Sequence, residues 1–275
     1  MSDATLTAIA ESFSAIGLEE TNASAAMLNR TDRKFVVTTD TLACLLDGQW
    51  SHYRVLEIEN RRELAYRSSY FDQAYRSYYD HHQGRRKRFK IRIREYLDTD
   101  AAFFETKLKS PAGETLKHRL PFDSLVPLKL GPKSFLHQNA SRWIEQAYGD
   151  PLTDSLRSSL VVDYRRMTLV ANKGGERVTV DSRIEFFVPG DGKCLPMGED
   201  FVIVETKTSG GMGLINDRLR DIGQREISKC SKYCLGLVMA GKVARFNHFL
   251  PTLRTLNLVD HLPSVRGVLW SGGHA

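Results

Sequence analysis

The sequence predicts an α+β fold: an antiparallel sheet or barrel of about eight strands, with helices at both ends and one inserted helical segment. Three observations carry this. Stretches that alternate apolar with polar residues, the two-residue period of a strand, recur along most of the chain. They succeed one another through tight turns, without the strand–helix alternation of a parallel sheet. Helical spacing is confined to the two ends and one central stretch. With 275 residues, 41% hydrophobic and 26% charged, the chain can bury a full core, which excludes disordered, collagen-like and disulfide-scaffold proteins.

Residues 1–29 are expected to form an N-terminal helical segment. Leu6, Ile9, Ala10, Phe13 and Ile16 recur at helical spacing up to Gly17, and a short Ala-rich piece runs on to Asn29. Thr31–Val37 alternates as a strand, and a short helix opened by Asp40 turns Leu42, Leu45 and Leu46 inward. Strand patterns then cover Tyr53–Glu59, Ala65–Phe71, Lys87–Tyr96 and Ala102–Lys109, with Thr115–Leu120 continuing the sheet and Asp98–Asp100 as a turn. Between Lys133 and Leu160 the spacing is helical, with Phe135, Leu136, Trp143, Ile144 and Tyr148 as the apolar stripe. Strands Val161–Val170, Arg177–Phe187 and Phe201–Thr208 are joined by the hairpin-type turns Asn172–Gly175 and Pro189–Gly192. Helices over Leu214–Gly223 and Ser228–Val243 complete a domain spanning 30–245, with 246–275 as a tail packing on the barrel or trailing from it.

No stretch approaches the roughly 20 apolar residues of a membrane-spanning helix. Cys234–Ala240 is short and lies between lysines, and Met1–Ala10 has an acid but no basic segment of the kind that opens a signal peptide. Four cysteines without metal-type pairing fit a reducing compartment, so the expected location is cytoplasmic. The histidines show no HExxH spacing, and there is no Walker A lysine motif or kinase catalytic loop. Gly210–Gly211–Met212–Gly213 precedes a helix and can in principle cradle phosphate, but a lone GGxG reads as a loop.

The net charge of +6 decides less than its placement. Arg85–Arg94 reads RRKRFKIRIR, and its second half sets Lys90, Arg92 and Arg94 on one strand face against Phe89, Ile91 and Ile93 on the other. The same alternation groups Asp32 with Lys34, Glu105 with Lys107 and Lys109, and Lys117 with Arg119. It also groups Tyr164 with Arg166, Arg177 with Asp181, and Glu205 with Lys207. Solvated strand faces usually mix in Thr, Ser and Gln; these are mostly Lys and Arg. A closed barrel lined by so many cations must hold a polyanion, because unpaired buried charge is prohibitive. The acids Glu105, Asp181 and Glu205 would offset some cations and bind a divalent metal, since Mg²⁺ is commonly held by one or two carboxylates plus substrate phosphates. A cation-lined passage for a phosphate chain is the expectation. A nucleic-acid partner is not expected, because base stacking would need exposed aromatics within the basic run and Phe89 falls on the apolar side.

The ordered segments RTDRKF (Arg30–Phe35), YRSSYFD (Tyr66–Asp72), Tyr78…His82…Gly84 and KIRIREY (Lys90–Tyr96) resemble the VTC domain. So do FFETKLK (Phe103–Lys109), DYRRM (Asp163–Met167), RVTVDSRIEF (Arg177–Phe186), VIVETKT (Val202–Thr208) and SKCSKY (Ser228–Tyr233). The resemblance runs from about residue 28 to 240, to a stand-alone, bacterial-type form of this module of the triphosphate tunnel metalloenzyme superfamily.

It implies an antiparallel closed β-barrel, the triphosphate tunnel, and a metal-dependent polyphosphate polymerase that transfers the γ-phosphate of ATP to a growing chain inside that basic tunnel. Carried over position by position, Lys34, Arg92, Arg94, Lys107, Lys117 and Arg166 would bind phosphates, Tyr164 and Ser231 would add hydroxyls, and Lys232 would act from the C-terminal helix. Lys90 and Lys207 join the substrate-binding set by their strand faces. Glu205 would hold Mn²⁺ or Mg²⁺, with Asp181 assigned beside it from its strand face. ATP and polyphosphate are thus the implied ligands. Eukaryotic members also carry an SPX domain and a membrane region, so translocation would require a membrane-protein partner. The strand around Asp32 and Lys34 lacks the ExExK pattern of the CYTH-type branches. A tunnel-type triphosphatase and a non-catalytic polyanion binder are the alternative readings.

Overall fold

Most of the alternating stretches are strands in the computed structural model, which describes residues 3–24, 30–125, 128–198, 200–211 and 213–262. Helix α1 (Asp3–Glu11) leads into β1 (Ser14–Ile16), α2 (Leu18–Ser24) and β2 (Arg30–Thr38). Then come α3 (Thr39–Leu46), β3 (Tyr53–Leu56), β4 (Glu63–Asp72) and α4 (Arg76–Gln83). The strands β5 (Arg88–Tyr96), β6 (Ala101–Lys109) and β7 (Thr115–Pro121) precede α5 (Phe135–Tyr148). They are followed by β8 (Arg157–Ala171), β9 (Arg177–Phe187), β10 (Cys194–Pro196) and β11 (Phe201–Ser209). Helices α6 (Leu214–Asp221), α7 (Lys232–Met239) and α8 (Leu250–Thr255) come last. Among the described residues no helix is long and apolar enough to cross a membrane.

The chain divides into two compact units, and β4, β8, β9 and β10 contribute residues to both. The first holds residues up to Ala65 together with Tyr164–Ile184 and Pro196–Cys230. Its strands are hydrogen-bonded in the order β2-β11-β9-β8, with β3 on β8 and β1 on β3. One side of this sheet is apolar. Phe35, Val37, Val178, Val180, Val202 and Val204 pack with Met167 and Leu169 under α1, α3 and α6, which contribute Leu6, Leu42, Leu45, Ile215 and Leu219. The other side carries the alternate, polar residues of the same strands, as a two-residue period requires.

The second unit holds Tyr66–Asp163, Glu185–Leu195 and the chain from Ser231. Its strand order is β8-β4-β5-β6-β7. Phe71, Phe89, Ile91, Ile93, Phe104 and Leu108 pack against Leu136, Ala140, Trp143 and Ile144 of α5. The Ser134 hydroxyl caps α5 by accepting from the His137 N–H, and Gly149 ends it at φ 84°, a left-handed conformation that glycine adopts without strain. Helix α7 is almost wholly buried.

Four features differ from, or add to, what the sequence led one to expect. The sheet is an open path rather than a closed barrel: its order ends on β2 and on β7, and no ladder joins these ends among the described residues. The outer edge of β2 is taken locally by the Ile227 N–H, which donates to the Lys34 carbonyl at 2.8 Å. Strand β7 is mostly exposed, charged and ends in Pro121, which has no N–H for a ladder. Secondly, α1 stops at Glu11, and Ile16 lies instead on β1, paired in parallel with Leu56 of β3. Thirdly, α4 has no apolar period to announce it. It forms because the buried Asp72 carboxylate accepts the Ser77 and Tyr78 N–H groups at its start, and Gly84 closes it at φ 70°. Finally, α7 starts at Lys232 rather than Ser228, because the Ser231 hydroxyl accepts the Cys234 N–H as its cap. Of the expected tail, Leu250–Thr255 is helical and buries Leu253; residues 263–275 lie outside the described residues, as do 25–29 of the N-terminal segment.

Gly236 of α7 lets that helix sit against the second unit's sheet. A Cβ there would come within 2.6 Å of both Leu160 and Phe186 side chains. Exchange of glycine for alanine in a helix interior gains about 1 kcal/mol, whereas an extra methyl in a packed core costs about 1–3 kcal/mol. Gly236→Ala should therefore lower the denaturation midpoint, measured by urea unfolding; an unchanged or raised midpoint would show that Leu160 and Phe186 give way.

Candidate functional site

On the first unit's polar face, strand register sets the chemistry. Lys34 of β2 lies opposite Glu205 of β11, and Asp32 opposite Lys207. On the other flank of β11, Thr179 of β9 faces Glu205 and Asp181 faces Ile203. The Lys207 ammonium donates to Glu205 Oε1, and the Lys34 Nζ lies 3.9 Å from Glu205 Oε2 while donating to the Cys230 carbonyl at 3.2 Å. Burial alone would raise the Glu205 carboxyl, but Lys34, Lys207 and Arg166 outweigh it and hold it well below the usual carboxylate range. Arg166 clamps Asp181 with both arms, Nε to Oδ1 at 2.5 Å and Nη2 to Oδ2 at 2.8 Å, and its guanidinium lies 5.4 Å from the Tyr164 ring centre. Asp181 is 1% exposed, so this is a buried, bidentate pair.

The second unit's polar face is more strongly cationic. Register aligns Lys90 of β5 with Lys107 of β6 and Lys107 with Lys117 of β7, three like charges in one row. The next row reads Tyr70, Arg92, Glu105, Arg119 across β4 to β7, and the row beyond pairs Ser68, Arg94 and Phe103. Arg92 donates from Nε to Glu105 Oε2 at 2.7 Å, and Arg119 lies 3.7 Å from Glu105 Oε1. Burial would raise Glu105, but Arg92, Arg94 and Arg119 together pull it below its usual value. Arg94 stacks over Tyr66 at 5.8 Å, and its Nε is buried without a hydrogen-bond acceptor among the described residues. Burial first, then Lys90, Arg88 and Lys107, push the His81 imidazole down to about 2, so it stays neutral beside the lysine row.

In the same unit Ser231 caps α7 and Lys232 is that helix's first residue. The Ser231 oxygen accepts the Cys234 N–H, which leaves its proton available to a ligand. Helix α6 is different. Its first N–H groups, those of Ile215 and Asn216, already donate to the buried Glu176 carboxylate at 3.1 and 3.2 Å, and the Tyr53 hydroxyl joins them. A Cβ at Gly213 would meet Glu176 at 2.4 Å. The glycine cluster thus serves an internal carboxylate, in keeping with its reading as a loop; Met212 lies outside the described residues.

The carboxylates can be tested as a metal site. Among the described residues no three His, Cys, Asp or Glu side chains converge on one point. Asp181 gives both oxygens to Arg166, and Glu205 is flanked by two ammonium groups. This donor set does not preform a cage of its own. A divalent ion that takes only one or two carboxylates from a protein would be compatible with Glu205, which keeps its position between the two lysines.

The structure therefore gathers Lys34, Tyr164, Arg166, Asp181, Glu205 and Lys207 in the first unit. It sets Lys90, Arg92, Arg94, Lys107 and Lys117 on one face of the second, with Ser231 and Lys232 at the start of α7. Sequence reasoning missed Tyr70 and Arg119 as members of the Arg92 row. For Arg119 the signal was present, since strand alternation puts it on the charged side with Lys117; Tyr70 alternates with the charged Arg67 of its own strand, and only register shows that it stands opposite Arg92.

A family model described as VTC domain matches residues 29–240. No curated protein matches. Among solved structures, the putative adenylyl cyclase HpAC1 from Hippeastrum, described as having a dominant triphosphatase activity, is similar at 17% identity. The match covers 78% of this chain and 98% of that one, with a TM-score of 0.42. The PH1819 protein from Pyrococcus horikoshii OT3 is 12% identical over 76% of this chain and 98% of its own, with a TM-score of 0.41. A putative adenylate cyclase from Vibrio parahaemolyticus is 10% identical over 75% and 97%, with a TM-score of 0.39.

The Arg166–Asp181 geometry makes a stability prediction. Arg166→Ala takes the bidentate guanidinium away from a carboxylate that is 1% exposed, and breaking a buried pair costs about 3–5 kcal/mol. Adding Asp181→Asn removes the stranded charge and should recover most of that loss. Equilibrium urea unfolding of the single and double variants checks this; equal stability of Arg166→Ala and wild type would mean that Asp181 is solvated after all.

Proposed function

The chain belongs to the VTC domain family, and from that premise we propose that it transfers the γ-phosphate of ATP to a growing polyphosphate chain. The observation that carries this reading is the Lys90–Lys107–Lys117 row with Arg92 and Arg94 beside it. Like charges directly opposite across strands destabilise a sheet, and Glu105 is the acid that these rows set among them. A ligand with many closely spaced negative charges offsets that repulsion in a way a single anion cannot. Polyphosphate and the triphosphate of ATP are such ligands.

Phosphoryl transfer asks the protein mainly for positioning and charge neutralisation. Arg92, Arg94 and Arg166 suit the task because a guanidinium fork meets two phosphate oxygens at once. Lys34, Lys207, Lys90, Lys107 and Lys117 supply compact charges, and Lys232 and the Ser231 hydroxyl add donors from the start of α7. A Mn²⁺ or Mg²⁺ ion arriving on the nucleotide phosphates, with Glu205 beside it, would take up charge that develops on phosphate oxygens. The terminal phosphate of an acceptor chain is already anionic, so the reaction calls for no general base on the protein.

The test is purified protein with ATP and either metal, with products resolved by size. The expected result is polymer, with ADP formed in step. Arg92→Ala should lower the rate by at least about 100-fold, as loss of a preorganised charge contact does. Free phosphate without polymer would instead make the protein a triphosphatase, and tight polyphosphate binding without turnover would make it a binder.

A further inference from the structure

Tyr70 lies at the centre of the second unit's charged face, although no motif reading assigns it a role. It is 6% exposed and stands opposite Arg92 in the β4–β5 register. Arg92 Nη1 donates to its hydroxyl at 3.3 Å, and the guanidinium lies 6.0 Å from its ring centre. Its ring stacks on Tyr233 at 4.9 Å with an interplanar angle of 30°. Tyr233 follows Lys232 in the first turn of α7, and its hydroxyl donates to the Asp72 carboxylate. Asp72 is 1% exposed and fixed in turn by the N–H groups of Gln73, Ser77 and Tyr78.

These contacts form one continuous chain: a carboxylate pinned by backbone, a tyrosine latched to it, a second tyrosine stacked on the first, and an arginine held by the second. We propose that Tyr70 and Tyr233 are positioning residues, which fix the Arg92 guanidinium and the start of α7, with Ser231 and Lys232, in one arrangement for phosphate. The inference rests on the reading that this face binds phosphate. Its physical basis is entropic: a free arginine samples many rotamers, and one already held by a hydroxyl and a ring loses fewer on binding. Aromatic stacks suit this use because they have few torsions and resist sliding.

The stack also supplies its own reporter. Burial would raise the Tyr70 phenol, but Arg92, Arg94 and Lys90 outweigh it, so it lies below the usual tyrosine value. The groups that face it are these three cations of β5, Tyr233 of α7 with the Asp72 carboxylate behind it, and the neutral Ser159 of β8, whose hydroxyl donates to the Tyr70 carbonyl. A polyanion that neutralises the cations must move the phenol upward.

Near-ultraviolet titration of tyrosinate, with and without tripolyphosphate, and steady-state kinetics on Tyr70→Phe and Tyr233→Phe make the test. In wild type, tripolyphosphate should shift one tyrosine component upward, and Tyr70→Phe should remove that component. Both variants keep the rings and should unfold near the wild-type temperature, while kcat falls about tenfold with KM for the nucleotide nearly unchanged. If tripolyphosphate leaves the titration unmoved, phosphate does not bind this face, and the functional reading falls with the inference. If the titration responds but both variants turn over like wild type, the stack is core packing and only the inference falls. Should Tyr233→Phe not fold, Tyr70→Phe carries the kinetic arm alone.

Discussion

Lys90, Lys107 and Lys117 face one another across hydrogen-bonded strands, and much of the second unit is arranged around that repulsion. A sheet with such a face cannot gain its stability there. The gain comes from the opposite side, where Ile91, Ile93, Phe104 and Leu108 pack under α5. Because the side-chain period of a strand is two, the apolar side and the charged side are fixed by the same register. A one-residue slip would bury the lysines and expose the isoleucines. The hydrophobic core thus sets the cationic face, and the acid at Glu105 tempers it without neutralising it.

The first unit balances charge differently. Here carboxylates and cations are close to matched: Glu205 with Lys207 and Lys34, and Asp181 with Arg166. Such pairs cost desolvation and return little net stability, but removing one partner is expensive. The two units therefore respond differently to truncation of a cation. Loss of Arg166 strands a buried carboxylate, whereas loss of a lysine from the Lys90 row relieves repulsion. The structural role of Arg166 must therefore be separated from the phosphate contact proposed for it in a way that the lysine row does not demand.

Much of this was legible in the sequence, and the limits have physical causes. Strand alternation between Lys87 and Lys109 and over Arg177–Phe187 located β5, β6 and β9 closely, because one buried face leaves a clean period of two. The segment that forms α4 carries no such signal; its helix depends on the Asp72 carboxylate and on Gly84, and a cap supplied by a side chain outside the helix is not a periodic property. Closure of the sheet was not legible either, since it depends on what occupies the outer edges of β2 and β7. The charged faces were readable strand by strand. That Asp181 meets Arg166, or that Tyr70 meets Arg92, follows only from strand pairing, which composition and spacing do not specify.

The start of α6 has an implication for reading glycine motifs. A glycine cluster ahead of a helix is commonly taken to make room for an external anion. In this chain the room at Gly213 is filled by the protein's own Glu176, anchored by Tyr53 and by the first N–H groups of the helix. The glycine is then the imprint of an intramolecular ligand, and its requirement would persist in a relative that binds nothing at all. The helix end is electrically spent, its first N–H groups already given to a side chain of the same protein.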